Sequence, residues 1–195
     1  MEERGLRNNY IFTLVKFILF LIIFCFLIEL TREFWRDMRA KESFSVNVLT
    51  VSVLSAFAFN AFLVDLNNFY KKIQRFFFHS SFFSYLIPST LIIAGLAYFV
   101  LPKVFSKTFD RSLFVFLGGF LVTNHLIFIA RDNKGNTFNT FINYLFLFSI
   151  FYILILILFV VYLKNGFNIA LGNFVFNGLR EGAVLIQRIS TQTFQ

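Results

Sequence analysis

The apolar residues of this 195-residue chain are concentrated in runs of about twenty, and these runs restrict the fold more than any other feature. A helix rises about 1.5 Å per residue, so about 20 apolar residues cross the roughly 30 Å hydrocarbon core of a bilayer. Only 14% of the residues are charged, whereas soluble domains have about 25%, and the mean hydropathy is +0.74. The sequence therefore predicts an all-α protein, a polytopic bundle of transmembrane helices.

Five candidate spans follow from these runs, and each is bounded by charged residues. They cover residues 10–30, 44–64, 82–101, 112–130 and 141–163. The second span is the weakest, because it opens with the β-branched stretch SVNVLTVSV and contains several polar residues. An unpaired strand cannot cross lipid, so this segment crosses as a helix, or the bundle has four spans and the segment is re-entrant or buried elsewhere.

Two segments outside the spans have the pattern of interfacial helices. In residues 66–77, LNNFYKKIQRFF, apolar side chains share one face at helical spacing, and Gln74 falls among the polar residues of the other. Residues 165–195 form a tail with a similar stripe, although four glycines weaken it as a helix. We expect the tail to be an amphipathic or irregular membrane-associated segment, with a membrane hairpin as the competing interpretation.

The formal charge of +8 comes from basic residues beside the apolar runs, a pattern typical of loops that face anionic headgroups. The basic residues that we expect to contact membrane lipids or a soluble partner are Arg36, Arg39, Lys71, Lys72 and Arg75. Nucleic acid is not an expected partner, because no loop combines a dense basic cluster with exposed aromatic residues. The positive-inside rule does not decide the orientation, since Lys and Arg are nearly balanced between the two sides.

Enzyme chemistry has little support in the sequence. The chain has two histidines and one cysteine, which are too few for the usual zinc sites. It also lacks the H-E-x-x-H and G-x-S-x-G motifs and a phosphate-binding loop. The cysteine, Cys25, lies inside an apolar run and forms no disulfide framework. We therefore predict no catalytic residue, no metal site and no cofactor.

Polar residues inside the fourth predicted span are the first candidates for a function. Asn124 and His125 stand within the run LGGFLVTNHLIFIA, and a separation of seven residues puts Gly118 on nearly the same helix face as His125. A glycine lets a neighbouring helix approach closely, so that His125 can find a partner there. One interpretation is an interhelical hydrogen bond. The other is a titrating or pore-lining group, because ionisable residues at membrane depth are functional candidates.

The second span offers a counterpart to this face. Ser52, Ala56 and Asn60 recur every four residues as a small and polar stripe, which is typical of helix packing. Asn60 can bond to Asn124, to His125 or to a second copy of itself. We predict that six residues line helix interfaces or a pore, namely Ser52, Ala56, Asn60, Gly118, Asn124 and His125.

The segments between the spans are too short for a separate activity, so we expect the protein to act through contacts. The leading hypothesis is a non-enzymatic multi-pass membrane protein that works as an oligomer or as a membrane-anchoring subunit of a larger complex. The alternative is a small homo-oligomeric channel or pore-forming effector, as in some bacterial antiphage systems, an analogy of size and composition alone.

A transporter is less favoured, because the chain has no obvious inverted repeat, and Pro88 and Pro102 lie near the ends of the third span. No signal-peptide cleavage site follows the first run and no transit peptide is recognisable. We therefore expect the inner membrane of a bacterium.

Overall fold

The part of the chain that the structure describes folds as eight helices, and the predicted all-α class is confirmed. The computed structural model describes residues 2–62, 65–105, 110–132 and 138–193, and within these ranges it contains no strand. The helices are α1 (Glu2–Arg39), α2 (Val46–Phe62), α3 (Asp65–Phe77), α4 (Ser81–Leu86), α5 (Ser89–Phe105), α6 (Arg111–Asp132), α7 (Phe138–Phe167) and α8 (Leu171–Thr193).

Three of these helices are long and apolar enough to cross a membrane. Their spanning stretches are Tyr10–Arg39, Arg111–Arg131 and Phe141–Phe167, which match the first, fourth and fifth predicted spans. Two shorter apolar helices, Val46–Phe62 and Ser89–Val104, match the second span and the later part of the third. Residues 63 and 64, the end of the second predicted span, lie outside the described residues, as do residues 194 and 195 of the tail.

The third predicted span is two helices, because the chain breaks between them. Helix α4 ends at Leu86 and α5 begins at Ser89, with Ile87 extended at φ −117° and ψ 110°. The following residue is Pro88, which disfavours a helical conformation at the residue before it and has no N–H to donate. Pro88 thus interrupts the third predicted span near its start, whereas Pro102 is accommodated inside α5.

Side-chain contacts fix the directions of the long helices. Lys16 Nζ donates to Asn143 Oδ1 at 2.8 Å, and the Phe34 and Phe159 rings lie 5.7 Å apart, so α1 and α7 run in the same direction. Helix α6 runs against α7, with Gly118 packed on Tyr162. Helix α2 runs alongside α6 in the same direction.

The tail, for which the sequence left a helix and a hairpin open, is one continuous helix of 23 residues, α8. It packs along α1, where Gly178 faces Leu30 and Gly182 faces Phe26. A Cβ atom at these glycines would lie 3.3 Å and 3.2 Å from the Cα atoms of those two residues. The order of the contacts shows that α8 is antiparallel to α1. The four-residue spacing is the small-xxx-small pattern that lets helix backbones approach closely.

Asn168 makes the turn between α7 and α8. Its φ of 44° is left-handed, a conformation that Asn tolerates better than most residues. Lys41 Nζ donates to the Asn168 carbonyl at 3.2 Å. The turn and the end of α1 are thereby held at one end of the bundle.

Candidate functional site

His125 lies at the centre of a buried polar cluster formed by α3, α4 and α6. The imidazole is completely buried, and its Nε2 lies 3.0 Å from the carbonyl oxygen of Tyr85. Its Nδ1 lies 2.8 Å from the hydroxyl of Tyr70. A carbonyl can only accept, so Nε2 carries a hydrogen, and in a neutral ring Nδ1 accepts from the Tyr70 hydroxyl. His125 thus joins α6 to both α3 and α4.

Gln74 connects this cluster to the helix break at Pro88. Its side chain is completely buried, one helical turn after Tyr70. With its amide nitrogen toward Ile87, Gln74 donates to the Ile87 carbonyl at 3.3 Å and accepts from the Ser89 N–H at 3.2 Å. These are backbone groups that the interruption of the helix leaves without helical partners. The amide therefore stabilises the broken backbone.

The Tyr70 hydroxyl lies between His125 and Gln74, 2.8 Å from His125 Nδ1 and 2.9 Å from the Gln74 amide. The three side chains therefore form one connected polar contact between α3 and α6.

Tyr70 is the link between His125 and Gln74. Burial raises the pKa of the Tyr70 phenol to about 12, although hydrogen bonds with Thr90 and Gln74 oppose this shift. The Thr90 hydroxyl lies 3.4 Å away on α5. The phenol therefore keeps its hydrogen at physiological pH and can donate it to a neighbour.

A second polar contact joins α2 to α6. Asn60 donates from Nδ2 to Asn124 Oδ1 and also to the Ala56 carbonyl at 2.9 Å. Ser52, Ala56 and Asn60 are all buried, so the predicted stripe faces inward. The glycine that meets this stripe is Gly119, where a Cβ would overlap Ser52. The predicted Gly118 instead faces α7, against Tyr162 and Phe159.

One residue of helix α3 does not lie where the sequence suggests. Gln74, which falls among the polar residues of the predicted interfacial helix, is completely buried. Phe69 and Phe76 of the apolar face are 58% and 80% exposed. The side chains of residues 66–68 lie outside the described part of the chain. The polar cluster accounts for the burial of Gln74, because the helix turns Tyr70 and Gln74 toward His125.

The basic residues predicted to contact lipid or a partner lie at two places. Arg36 and Arg39 belong to the last turn of α1, and Arg36 pairs with Glu33, which is almost fully buried. Asn177 of α8 also donates to Glu33, at 3.2 Å. On α3, Lys72 and Arg75 are exposed and Lys71 is half-buried. That these residues contact lipid or a soluble partner stays a prediction.

The outer face of α8 carries charge beside apolar helices. Arg180 and Glu181 pair at 2.8 Å, and their side chains are 62% and 40% exposed. Both residues lie between Gly178 and Gly182 in α8. They are therefore at the height of the α1 segment between Phe26 and Leu30, which these glycines contact. Arg188 lies six residues beyond Gly182, level with about Phe20, because both helices rise by about 1.5 Å per residue. Both arginines are thus level with the apolar run 10–30 of α1.

Metal ligands are not grouped in the described ranges, where no three His, Cys, Asp or Glu side chains come together. Cys25 is buried and unpaired with any other cysteine. The polar atoms of the His125 cluster are occupied by one another. The cluster therefore has the character of a packing contact between helices rather than a ligand cage.

Several important residues escape sequence analysis. Tyr70 and Gln74 look like ordinary members of an amphipathic helix, and Gly178 and Gly182 count against a helix rather than for a contact. The Gly-x-x-x-Gly spacing of Gly178 and Gly182 is the one signal that could have indicated the α1–α8 contact. No known family, no curated protein and no solved structure matches this chain, so its site is defined by geometry alone.

Proposed function

We propose that this chain is a non-enzymatic multi-pass membrane protein that assembles with further copies of itself through the outer face of α8. The observation that carries the proposal is the position of Arg180, Glu181 and Arg188, exposed on a helix that lies level with the apolar run of α1. An arginine at the centre of a bilayer costs about 2.5–3.5 kcal/mol on insertion scales. Such a face is stable only against protein or water.

The packing of α8 keeps this face directed outward. Gly178 and Gly182 hold one side of α8 on α1, and an added side chain at either position would meet α1. Asn177 binds the buried Glu33 of α1 and further fixes the rotation of α8. A second copy offers the same mixture of Arg180 and Glu181, so facing copies can pair opposite charges. This supports self-association rather than exposure to lipid.

Disulfide crosslinking in native membranes tests the proposal. Gln187→Cys places a thiol on the exposed face of α8, in a background with Cys25→Ala. Oxidation is expected to give covalent dimers. Leu54→Cys is the control, because Leu54 is 63% exposed on α2, away from α8. Equal crosslinking at both positions, or none at residue 187, would contradict assembly through α8.

A channel or pore-forming effector is the second candidate, and one observation favours it. Asn173, Arg180, Gln187 and Thr191 are exposed and lie on one face of α8. In a ring of copies this stripe can line a water-filled lumen. Asn60 and His125 are buried within one chain, so they support packing inside the protomer better than a lumen.

Ion flux into liposomes separates a closed assembly from a channel. A channel predicts flux from the wild-type protein and a changed anion-to-cation selectivity in Arg180→Gln, with the oligomer retained. An assembly without flux favours the non-conducting proposal. A second protein at fixed stoichiometry would instead make this chain an anchoring subunit. The inner membrane of a bacterium stays a prediction from the sequence, which membrane fractionation tests.

A further inference from the structure

Two adjoining cavities run between the helix pairs α1/α7 and α2/α6. The first has a volume of about 520 Å³ and contains Asn60, Arg131 and Tyr144 in its lining. The second has a volume of about 400 Å³ and reaches Thr31, Phe34 and Trp35 on α1. The residues Phe57, Ile127 and Ala130 line both cavities. The two cavities are therefore parts of one cleft.

We propose that this cleft binds one anionic phospholipid, with the phosphate on Arg131 and an acyl chain between the helices. The site goes beyond the assembly through α8, and it shares no residue with the outer face of that helix. Volumes of a few hundred Å³ are those of ordinary ligand sites. The occupant is identified by the length, the lining and the charge of the cleft.

The length of the cleft fits one leaflet of a bilayer. Along α6 the lining extends from Gly119 to Arg131. Twelve residues of helix correspond to about 18 Å. Half of the roughly 30 Å hydrocarbon core is about 15 Å. A chain that starts at a headgroup beside Arg131 therefore ends near the level of Gly119.

The lining is mostly apolar, and its charged side chain lies at one end. The inner part is formed by side chains such as Val53, Leu126 and Phe148. At the other end, Arg131 Nη2 donates to the Asn60 carbonyl at 3.1 Å. This bond holds the guanidinium at the mouth, where Tyr144 adds a phenol to the lining. The charged mouth, the polar rim and the apolar interior of the cleft follow one another in the same order as the charged headgroup and the acyl chain of a phospholipid.

Arginine is suited to a phosphate at this position. Its guanidinium is planar and always charged, and its N–H groups form strong bonds to phosphate oxygens. Among the described residues that line the cleft, Arg131 is the one with a charged side chain. The charge therefore favours an anionic headgroup over a zwitterionic one. Phe57, which is 56% exposed, marks where the wall opens outward and a lipid can enter from the bilayer.

Lipid binding can be measured by native mass spectrometry of the full chain. Delipidated protein is titrated with dioleoyl-phosphatidylglycerol and, separately, with dioleoyl-phosphatidylcholine. We expect one phosphatidylglycerol to be retained per chain, with a preference of about tenfold that Arg131→Gln removes, corresponding to about 1.4 kcal/mol. Ala130→Trp fills the junction of the two cavities and is expected to abolish retention. Arg111→Gln removes a charge at the opposite end of α6 and should leave retention unchanged.

Photolabelling of the wild-type protein provides a test that needs no variant. A phosphatidylglycerol with a diazirine on its acyl chain is activated in liposomes, and the labelled peptides are sequenced. Label concentrated on residues 119–131 and 148–159 is the expected result. Label spread over the exposed side of α1 between Tyr10 and Phe24 would overturn the proposal. Equal retention by the wild type and Arg131→Gln would overturn it as well.

Discussion

Gly182 of α8 packs directly on Phe26 of α1: a Cβ atom at Gly182 would lie 3.2 Å from the Phe26 Cα. This contact and that of Gly178 with Leu30 determine which side of α8 faces α1. They also determine that Arg180 faces away from it. The outward direction of the charged face is therefore a consequence of two glycines.

Gly182→Ala is expected to lower the thermal unfolding temperature in detergent. The added methyl meets the α1 backbone, and overpacking costs about 1–3 kcal/mol, more than the gain of about 1 kcal/mol from alanine in a helix. Gly172→Ala is the matched control in the same helix, because a Cβ there meets nothing within 4 Å. Equal unfolding temperatures for the two variants would contradict the close α1–α8 contact.

His125→Ala is expected to destabilise the protein by about 1–3 kcal/mol. The change removes the hydrogen bonds that His125 makes with the Tyr85 carbonyl and the Tyr70 hydroxyl. The measurement is thermal unfolding followed by tryptophan fluorescence or by size-exclusion chromatography. The second histidine, His79, is exposed, and His79→Ala should unfold like the wild type. A loss in His79→Ala as large as that in His125→Ala would remove the support for the cluster.

The Asn60–Asn124 contact predicts a measurable coupling energy. The cycle compares the wild type with Asn60→Leu, Asn124→Leu and the double variant. Hydrogen bonds between membrane helices contribute on average about 0.6 kcal/mol and at most about 1.7 kcal/mol, and we expect a coupling energy in this range. Unfolding free energies of the four variants give the coupling. Asn143 of α7, which binds Lys16 of α1, supplies the control, and the effect of its substitution should add to that of Asn60. Zero coupling between Asn60 and Asn124 would show that their contact is not formed.

The two glutamates of the α1 ion pairs should differ in their importance. Glu33 is almost fully buried and binds both Arg36 of α1 and Asn177 of α8, whereas Glu29, whose side chain is 12% exposed, pairs with Arg32, which is 70% exposed. Removal of Glu33 leaves partners on two helices unsatisfied, whereas an ion pair with an exposed arginine contributes only about 0–1 kcal/mol. Glu33→Leu is therefore expected to lower the unfolding temperature more than Glu29→Leu. The reverse order would exclude Glu33 as a link between α1 and α8.

Much of the fold can be predicted from the sequence because lipid allows few solutions. The runs at residues 10–30, 112–130 and 141–163 are long enough that only helices satisfy their backbones, and three long helices cover them. The break at Pro88 is less predictable, since a proline near the end of a span is compatible with an intact helix. What decides it is Gln74, which binds the freed backbone groups from another helix.

The candidate site can be predicted from the sequence only in part, because the burial of some of its residues depends on contacts between helices. His125, Asn60 and Asn124 are conspicuous because they are polar inside apolar runs. Tyr70 and Gln74 lie in a segment that is already half polar, so their burial depends on how α3 is rotated against α6. The depth of α8 is likewise set by its contact with α1, and its own composition resembles that of a helix at the membrane surface.

Assembly through α8 is the central claim, and the native mass of the protein in mild detergent tests it most directly. We predict a defined multiple of the 22.9 kDa chain for the wild type and for Lys72→Glu, a charge reversal on α3. Arg180→Glu should shift the mass toward one chain, and the double change Arg180→Glu with Glu181→Arg should restore the oligomer by restoring the balance of charge. A single 22.9 kDa chain in the wild type, or an oligomer indifferent to Arg180→Glu, would contradict assembly through this face.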